Sequence, residues 1–120
     1  MRRILVIDDD PGFTKLADSV LRTQNYEVTV SRDAPQGLEM AIKEPPDLII
    51  LDVMMPIING YNICRLLKSQ AHLKDIPVIL LTSRTSEEDR RIGEEAGANV
   101  YLSKPLNTEE LFEKVRDLLN

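Results

Sequence analysis

Three short apolar runs, Ile4-Leu5-Val6-Ile7, Leu48-Ile49-Ile50-Leu51 and Val78-Ile79-Leu80-Leu81, constrain most of what this chain can become. A run with no polar face suits a strand covered on both sides, as the strands of a parallel sheet are. Glu27-Val28-Thr29-Val30 alternates and reads as a half-exposed edge strand; Asn99-Val100-Tyr101-Leu102, short and mixed, suits the other edge. Segments of helical period lie between the strands. Residues 11–24 place Phe13, Leu16, Ala17, Val20 and Leu21 on one face, with Asp10 as N-cap and Pro11 as first helical residue. Residues 34–43, 60–70, 87–95 and 108–119 give four more helices. The third turns Ile63, Leu66 and Leu67 inward, the fourth ends near Gly97, and Asn107 with Glu110 resembles a capping box before the last. Five strands alternating with five helices imply right-handed crossovers and an α/β, doubly wound sheet.

Composition narrows the class. The 120 residues suit one domain spanning 1–120, large enough to fold without disulfides or a structural metal. A net charge of -5 gives no reason to expect a nucleic-acid backbone or an anionic membrane as partner. No apolar run approaches the ~20 residues needed to cross a bilayer. The stretch after Met1-Arg2-Arg3 is cut short by Asp8, Asp9 and Asp10, which is too short for a secretory signal. Cys64 has no partner for a bridge and reads as a small core residue. The expectation is a soluble, cytoplasmic, single-domain protein.

Ligands of an open parallel sheet bind beyond the carboxyl ends of its strands. Asp8, Asp9 and Asp10 follow the first strand and Asp52 the third; Thr82 and Ser83 follow the fourth, and Ser103 and Lys104 the fifth. Carboxylates crowded on one rim repel one another unless a hard cation offsets them, and Mg²⁺ takes one or two carboxylates together with waters and phosphate oxygens. Thr82 can then donate to a phosphoryl oxygen, Lys104 can supply a positive partner, and Asp52 is available as nucleophile for an aspartyl phosphate. The acidic loop lacks the Ser/Thr/Gly-rich character that would hold a flavin phosphate. It also lacks the G-x-G-x-x-G of a dinucleotide site. Asp10 is accounted for by its capping role.

With these residues in order, the chain resembles the receiver domain of two-component response regulators. The resemblance rests on Ile4–Pro11, Pro46–Pro56 with Gly60, Pro77–Thr82, and Ala96-Gly97-Ala98 leading to Tyr101-Leu102-Ser103-Lys104-Pro105. It implies a flavodoxin-like (βα)5 fold with strand order 2-1-3-4-5. It further implies that Asp52 accepts a phosphoryl group from a sensor histidine kinase or phosphotransfer protein. Asp9, Asp52 and the Met54 carbonyl are implied to bind Mg²⁺, with Asp8 acting through water. Thr82 and Lys104 are implied to contact the phosphoryl group, Tyr101 to be the aromatic switch, and the Lys104–Pro105 bond to be cis. The fourth-helix, fifth-strand and fifth-helix face is implied to report the state to a downstream target or output domain, or to a second copy of the chain on phosphorylation. No separate enzymatic turnover is implied.

Ile57 departs from the family pattern, standing where many receivers have Gly; with Ile58 it puts two apolar residues in the loop after Asp52, to stiffen it or to meet a partner. Arg84, two residues past Thr82, and Met54, two past Asp52, resemble the variable positions that tune phosphoryl lifetime in that family. Tyr101, an aromatic on an edge strand, has plain packing as its ordinary reading. Taken singly, Asp8-Asp9-Asp10 reads as a solvated turn with a helix cap, Asp52 as a strand-end turn acid, Thr82 as a loop cap and Lys104 as a surface lysine. Those explanations would all have to hold at once at four neighbouring strand ends. His72, in a polar loop, reads as a surface residue, and Gly60 and Gly97 as backbone punctuation. Two rival functions remain in view. A haloacid-dehalogenase-type phosphohydrolase would need D-x-D, but Met54 stands two residues after Asp52, and no cap domain encloses a substrate. A pseudo-receiver would have lost an acid or Lys104, and none is lost. The sequence leaves open whether the domain stands alone or forms part of a longer protein.

Overall fold

The computed structural model describes residues 1–120. Its elements run β1 (Arg3–Ile7), α1 (Pro11–Arg22), β2 (Glu27–Ser31), α2 (Ala34–Lys43), β3 (Leu48–Leu51), α3 (Gly60–Ser69), β4 (Val78–Thr82), α4 (Glu87–Glu95), β5 (Val100–Ser103) and α5 (Thr108–Leu119). All strands are parallel, in the order β2-β1-β3-β4-β5. The doubly wound expectation holds, with its strand order.

Why the inner strands had to be apolar throughout is visible in how their side chains divide. Leu5, Ile7, Ile49, Leu51, Val78 and Leu80 face one way, against Ala34 and Ala41 of α2 and Ile63, Cys64 and Leu67 of α3. Ile4, Val6, Leu48, Ile50, Ile79 and Leu81 face the other way, against Phe13, Ala17 and Leu21 of α1 and Leu111, Val115 and Leu119 of α5. The period-2 alternation of strand side chains therefore feeds two separate apolar layers. At about 25 cal/mol per Å², each fully buried Leu or Ile contributes roughly 1.5–3 kcal/mol relative to exposure.

The helix starts are set by local chemistry. Asp10, Asp33, Asn59, Ser86 and Asn107 each accept a hydrogen bond from a backbone N–H of the first turn, from Gly12, Gln36, Asn62, Asp89 and Glu110 respectively. α4 adds Glu87, Glu88 and Asp89 in its first turn, where the helix dipole favours acids. Two inward assignments need correction. Leu16 and Leu66 are 46% and 43% exposed, because each lies at the margin of its helix's apolar stripe, outside the part that meets the sheet. α1 also stops at Arg22, capped at Thr23, and β5 begins one residue later than its apolar pattern suggests.

Ile57 and Ile58 part company. Ile58 packs on the α2–α3 layer, whereas Ile57 is 85% exposed and holds a left-handed backbone at φ 74. For a β-branched residue that conformation costs about 1–2 kcal/mol. Replacing Ile57 by Gly relieves it against about 0.4–1 kcal/mol of extra unfolded-state entropy. Ile57→Gly is therefore expected to raise stability by about 0.5–1 kcal/mol, read from the urea midpoint at unchanged slope. Cys64 is fully buried, and desolvation pushes its thiol up to about 11. Its reaction with a disulfide reagent at pH 8 should be at least about a thousandfold slower than in the urea-unfolded chain, which corresponds to an opening free energy of about 4 kcal/mol.

Candidate functional site

The register of the parallel sheet assembles the site. Ile7 lies opposite Leu51, so Asp8 and Asp52 leave adjacent strands side by side, and the Asp52 N–H donates to the Ile7 carbonyl at 3.0 Å. On the far side the Lys104 N–H donates to the Thr82 carbonyl at 2.9 Å, which fixes the end of β5 against the end of β4. The Lys104–Pro105 bond is cis. Asp8, Asp9, Asp52, Thr82 and Lys104 thus meet at one edge although 96 residues separate Asp8 from Lys104.

Three carboxylates face a single ammonium there. Asp8, Asp9 and Asp52 each offer an oxygen, and these oxygens lie within 4.8 Å of one another. Asp8 and Asp52 are buried, Asp9 exposed. Lys104 Nζ donates to Asp8 Oδ2 at 2.7 Å and stands 3.8 Å from Asp52 Oδ2. It also lies 4.2 Å from the centre of the Phe13 ring, a cation–π contact that no local pattern announced, since Phe13 reads simply as a core residue of α1. Asp8 is doubly engaged, because its Oδ1 accepts from the Asp10 N–H at 2.9 Å. Asp10 itself caps α1 through the Gly12 N–H, as its sequence position suggests.

Burial raises the Asp52 pKa, and the Asp8 charge adds to the rise; Lys104, the Met54 N–H and the Thr82 hydroxyl pull the other way. Asp52 is therefore a partly desolvated carboxylate, short of solvent hydrogen bonds. The loop beyond it is tightly folded. Val53 O accepts from both Met55 and Gly60 N–H groups, while the Met54 carbonyl accepts no backbone hydrogen bond. A Cβ on Gly60 would lie 2.2 Å from the Asp52 carbonyl oxygen, so the return of α3 past Asp52 admits only glycine. The donor set of carboxylates, one free carbonyl and open solvent on the Asp9 side is made of hard oxygens. It fits a small divalent cation such as Mg²⁺ and would suit no soft metal.

Thr82 is fully buried, its Oγ1 accepting from the Arg84 N–H at 3.3 Å. Tyr101 is half-buried and donates to the Arg84 carbonyl at 2.5 Å. Arg84 in turn reaches Asp89 Oδ1 at 3.0 Å and Met54 Sδ at 3.4 Å, so Arg84 and Met54 touch each other. Beside them is a cavity of about 570 Å³ lined by Met54, Met55, Pro56, Tyr61, Arg84 and Ile92, among others. Tyr61 and Asp89 escaped the sequence reading. They are joined across 28 residues by tertiary contact; Tyr61 carries no local signal, whereas Ser86-x-x-Asp89 is a capping pattern that could have marked Asp89. His72 is exposed and remote from this edge.

Comparison with known proteins agrees with this geometry. The family model for the response regulator receiver domain matches residues 4–116. The response regulator PleD of Caulobacter vibrioides is 42% identical over 116 residues, covering 97% of this chain and 26% of PleD. The chain accordingly spans about a quarter to a half of the length of the curated relatives it matches. Among solved structures, the chemotaxis protein CheY4 of Vibrio cholerae superposes with a TM-score of 0.93 at 32% identity, covering 99% of both chains. The receiver domain of the sensor histidine kinase PA1611 from Pseudomonas aeruginosa, which carries a coordinated magnesium ion in its active-site cleft, gives 0.91 at 30% identity, covering 98% of this chain and 97% of its own. An acid-lined sheet edge, a lysine reaching across it and a sheet of order 2-1-3-4-5 thus coincide with a family match over nearly the whole length, and the chain belongs to the response regulator receiver domain family.

Proposed function

We propose that Asp52 is the phosphoryl acceptor of this receiver domain, and that the chain acts as a phosphorylation-controlled switch in a two-component phosphorelay. The observation that carries this reading is the meeting of Asp8, Asp9 and Asp52 within 4.8 Å beside Lys104. The donor is a phosphohistidine of a sensor histidine kinase or phosphotransfer protein. An Asp52 carboxylate oxygen attacks phosphorus in line; the P–O bond forms as the P–N bond breaks, and the electron pair leaves with the imidazole. Desolvation makes the Asp52 oxygen the better nucleophile once it is ionised. Lys104 shifts from Asp8 toward the new phosphoryl oxygens, and Thr82 turns its hydroxyl to donate to one of them.

Asp9, Asp52 and the Met54 carbonyl would hold Mg²⁺, with Asp8 acting through water because both its oxygens already have protein partners. Bound there, Mg²⁺ neutralises charge on the phosphoryl oxygens as they approach the acids. The PA1611 receiver and its magnesium ion support the assignment.

Readout follows from how lightly α4 is held. Only Asp89 and Gly93 of α4 are buried, with Ile92 packed on the core, and an element with so few apolar contacts lies at the easily moved end of a fold. A shift of Thr82 passes to Arg84 and Tyr101, and from them to the face formed by α4, β5 and α5. That face then meets a downstream target, an output domain or a second copy of the chain. The domain performs no turnover beyond its own phosphorylation and dephosphorylation, and it works in the cytoplasm; no helix is long and apolar enough to cross a membrane.

Intact-mass spectrometry after incubation with a small acyl phosphate tests the chemistry. A gain of one phosphoryl group is expected with Mg²⁺, none with chelator and none in Asp52→Asn. No gain in the wild type would favour a docking-only receiver, and a gain that survives Asp52→Asn would move the acceptor elsewhere. Mg²⁺ titration followed by amide NMR separates the acids. Asp9→Asn should weaken binding by at least about tenfold, the loss seen even when a group that merely supports a ligand is removed. Asp10→Asn should leave both affinity and stability unchanged, since Asn caps a helix as well as Asp.

A further inference from the structure

The place of Tyr101 is built from two residues, Gly93 on the preceding helix and Tyr61 forty positions earlier. On one side its ring lies against Gly93 in the middle of α4, where a Cβ would stand 2.7 Å from Tyr101 Cδ2. Glycine inside a helix costs about 0.5–1 kcal/mol relative to alanine, so its presence calls for a reason, and the aromatic ring supplies one. On the other side the Tyr101 hydroxyl sits 3.1 Å from that of Tyr61. Tyr61 is 7% exposed and donates to the Asp89 carbonyl at 3.0 Å, while Asp89 is pinned by Ser86 Oγ at 2.6 Å and by Arg84. Arg90 covers the outer face of the Tyr101 ring at 5.2 Å and donates to the Tyr101 carbonyl.

Proton counting shows what Tyr61 adds. The Tyr101 proton goes to the Arg84 carbonyl, which can only accept. The short contact between the phenols is then served by the Tyr61 proton, shared between Tyr101 Oη and the Asp89 carbonyl. With Tyr101 swung out, Tyr61 keeps Asp89 alone. The hydroxyl of Tyr61 is therefore a partner that Tyr101 finds only when inward. Burial and the neighbouring phenol raise the Tyr61 pKa, which keeps that proton in place.

We propose that Gly93 and Tyr61 form a slot that holds Tyr101 inward, and that they act as positioning residues setting how far the aromatic switch is already turned before phosphoryl transfer. This rests on the receiver reading above with Tyr101 as its switch. By linkage, whatever favours inward Tyr101 also favours the phosphorylated state, to the extent that it raises the inward population of the free protein.

The three tyrosines and the absence of tryptophan make the test direct. Protein grown with 3-fluorotyrosine gives resonances for Tyr26, Tyr61 and Tyr101, assigned with Tyr26→Phe and Tyr61→Phe, and a soluble paramagnetic agent reports exposure. In the free protein, the Tyr101 signal should broaden more in Tyr61→Phe than in wild type, and most in Gly93→Ala, where the added methyl evicts the ring. Beryllofluoride with Mg²⁺, the phosphoryl mimic, should bind measurably more weakly to Tyr61→Phe, by at most about threefold, the fold-change that loss of one modest hydrogen bond gives. It should bind still more weakly to Gly93→Ala, with Tyr26→Phe unchanged. A Tyr101 signal equally protected in wild type, Tyr61→Phe and Gly93→Ala would overturn the slot. So would broadening in both variants with beryllofluoride affinity unchanged. Failure of the wild type to bind beryllofluoride would strike the receiver chemistry instead, and the free-protein spectra would still decide the slot.

Discussion

A parallel sheet whose inner strands are covered on both faces can place polar groups only at the strand ends. In this chain β1, β3 and β4 are buried along almost their whole length, so their chemistry is pushed to the residues just beyond. The parallel arrangement then directs every carboxyl end the same way, and the register of β1 against β3 sets Asp8 beside Asp52. The like charges are thus gathered by the same packing that stabilises the fold, and the site inherits their mutual repulsion.

That repulsion is only partly relieved. Lys104 sits between Asp8 and Asp52, but its shorter contact is with Asp8. Asp52 is left with burial and a neighbouring carboxylate that both disfavour its charge. A buried ion pair contributes little net stability because desolvation offsets its attraction, so the arrangement has little value as a structural device. On the function proposed for Asp52 it suits a group that accepts a phosphoryl, since Lys104 already lies within reach of two anionic partners.

The far side of β4 and β5 has the opposite character. There the polar groups are satisfied by one another: Ser86, Arg84 and Tyr61 surround Asp89, Tyr101 joins them through Tyr61 and Arg84, and no buried side-chain nitrogen or oxygen lacks a partner. α4 rests on this polar network more than on apolar packing, which gives a set of exchangeable hydrogen bonds in place of a fixed hydrophobic seam. Movement at Thr82 meets this network first through Arg84, whose N–H it holds and whose carbonyl Tyr101 holds.

The sequence by itself determined the strands, the helices, the caps at Asp10 and Asn107, and the acids of the site. Burial on both faces demands unbroken apolar runs, capping demands Asx or Ser at the first turn, and strand ends are where polar residues must resume. Four-residue runs such as Leu48–Leu51 and caps such as Asp10 are local signals, legible in a few neighbouring residues. Leu16 and Leu66 lie outside the buried stripe because helical period gives the direction of a side chain but not how wide the contact beneath it is. Ile57 and Ile58 could not be told apart, since only the loop's path puts one on the core and the other in solvent with a left-handed backbone. The tertiary structure alone decided that Lys104 stacks on Phe13, that Gly93 makes room for Tyr101, and that Tyr61 joins Asp89 to it. Most of these contacts join residues far apart in the chain, and Gly93 meets Tyr101 only because α4 packs back on β5. Local pattern carries no record of them, because they exist only once the sheet has brought the elements together.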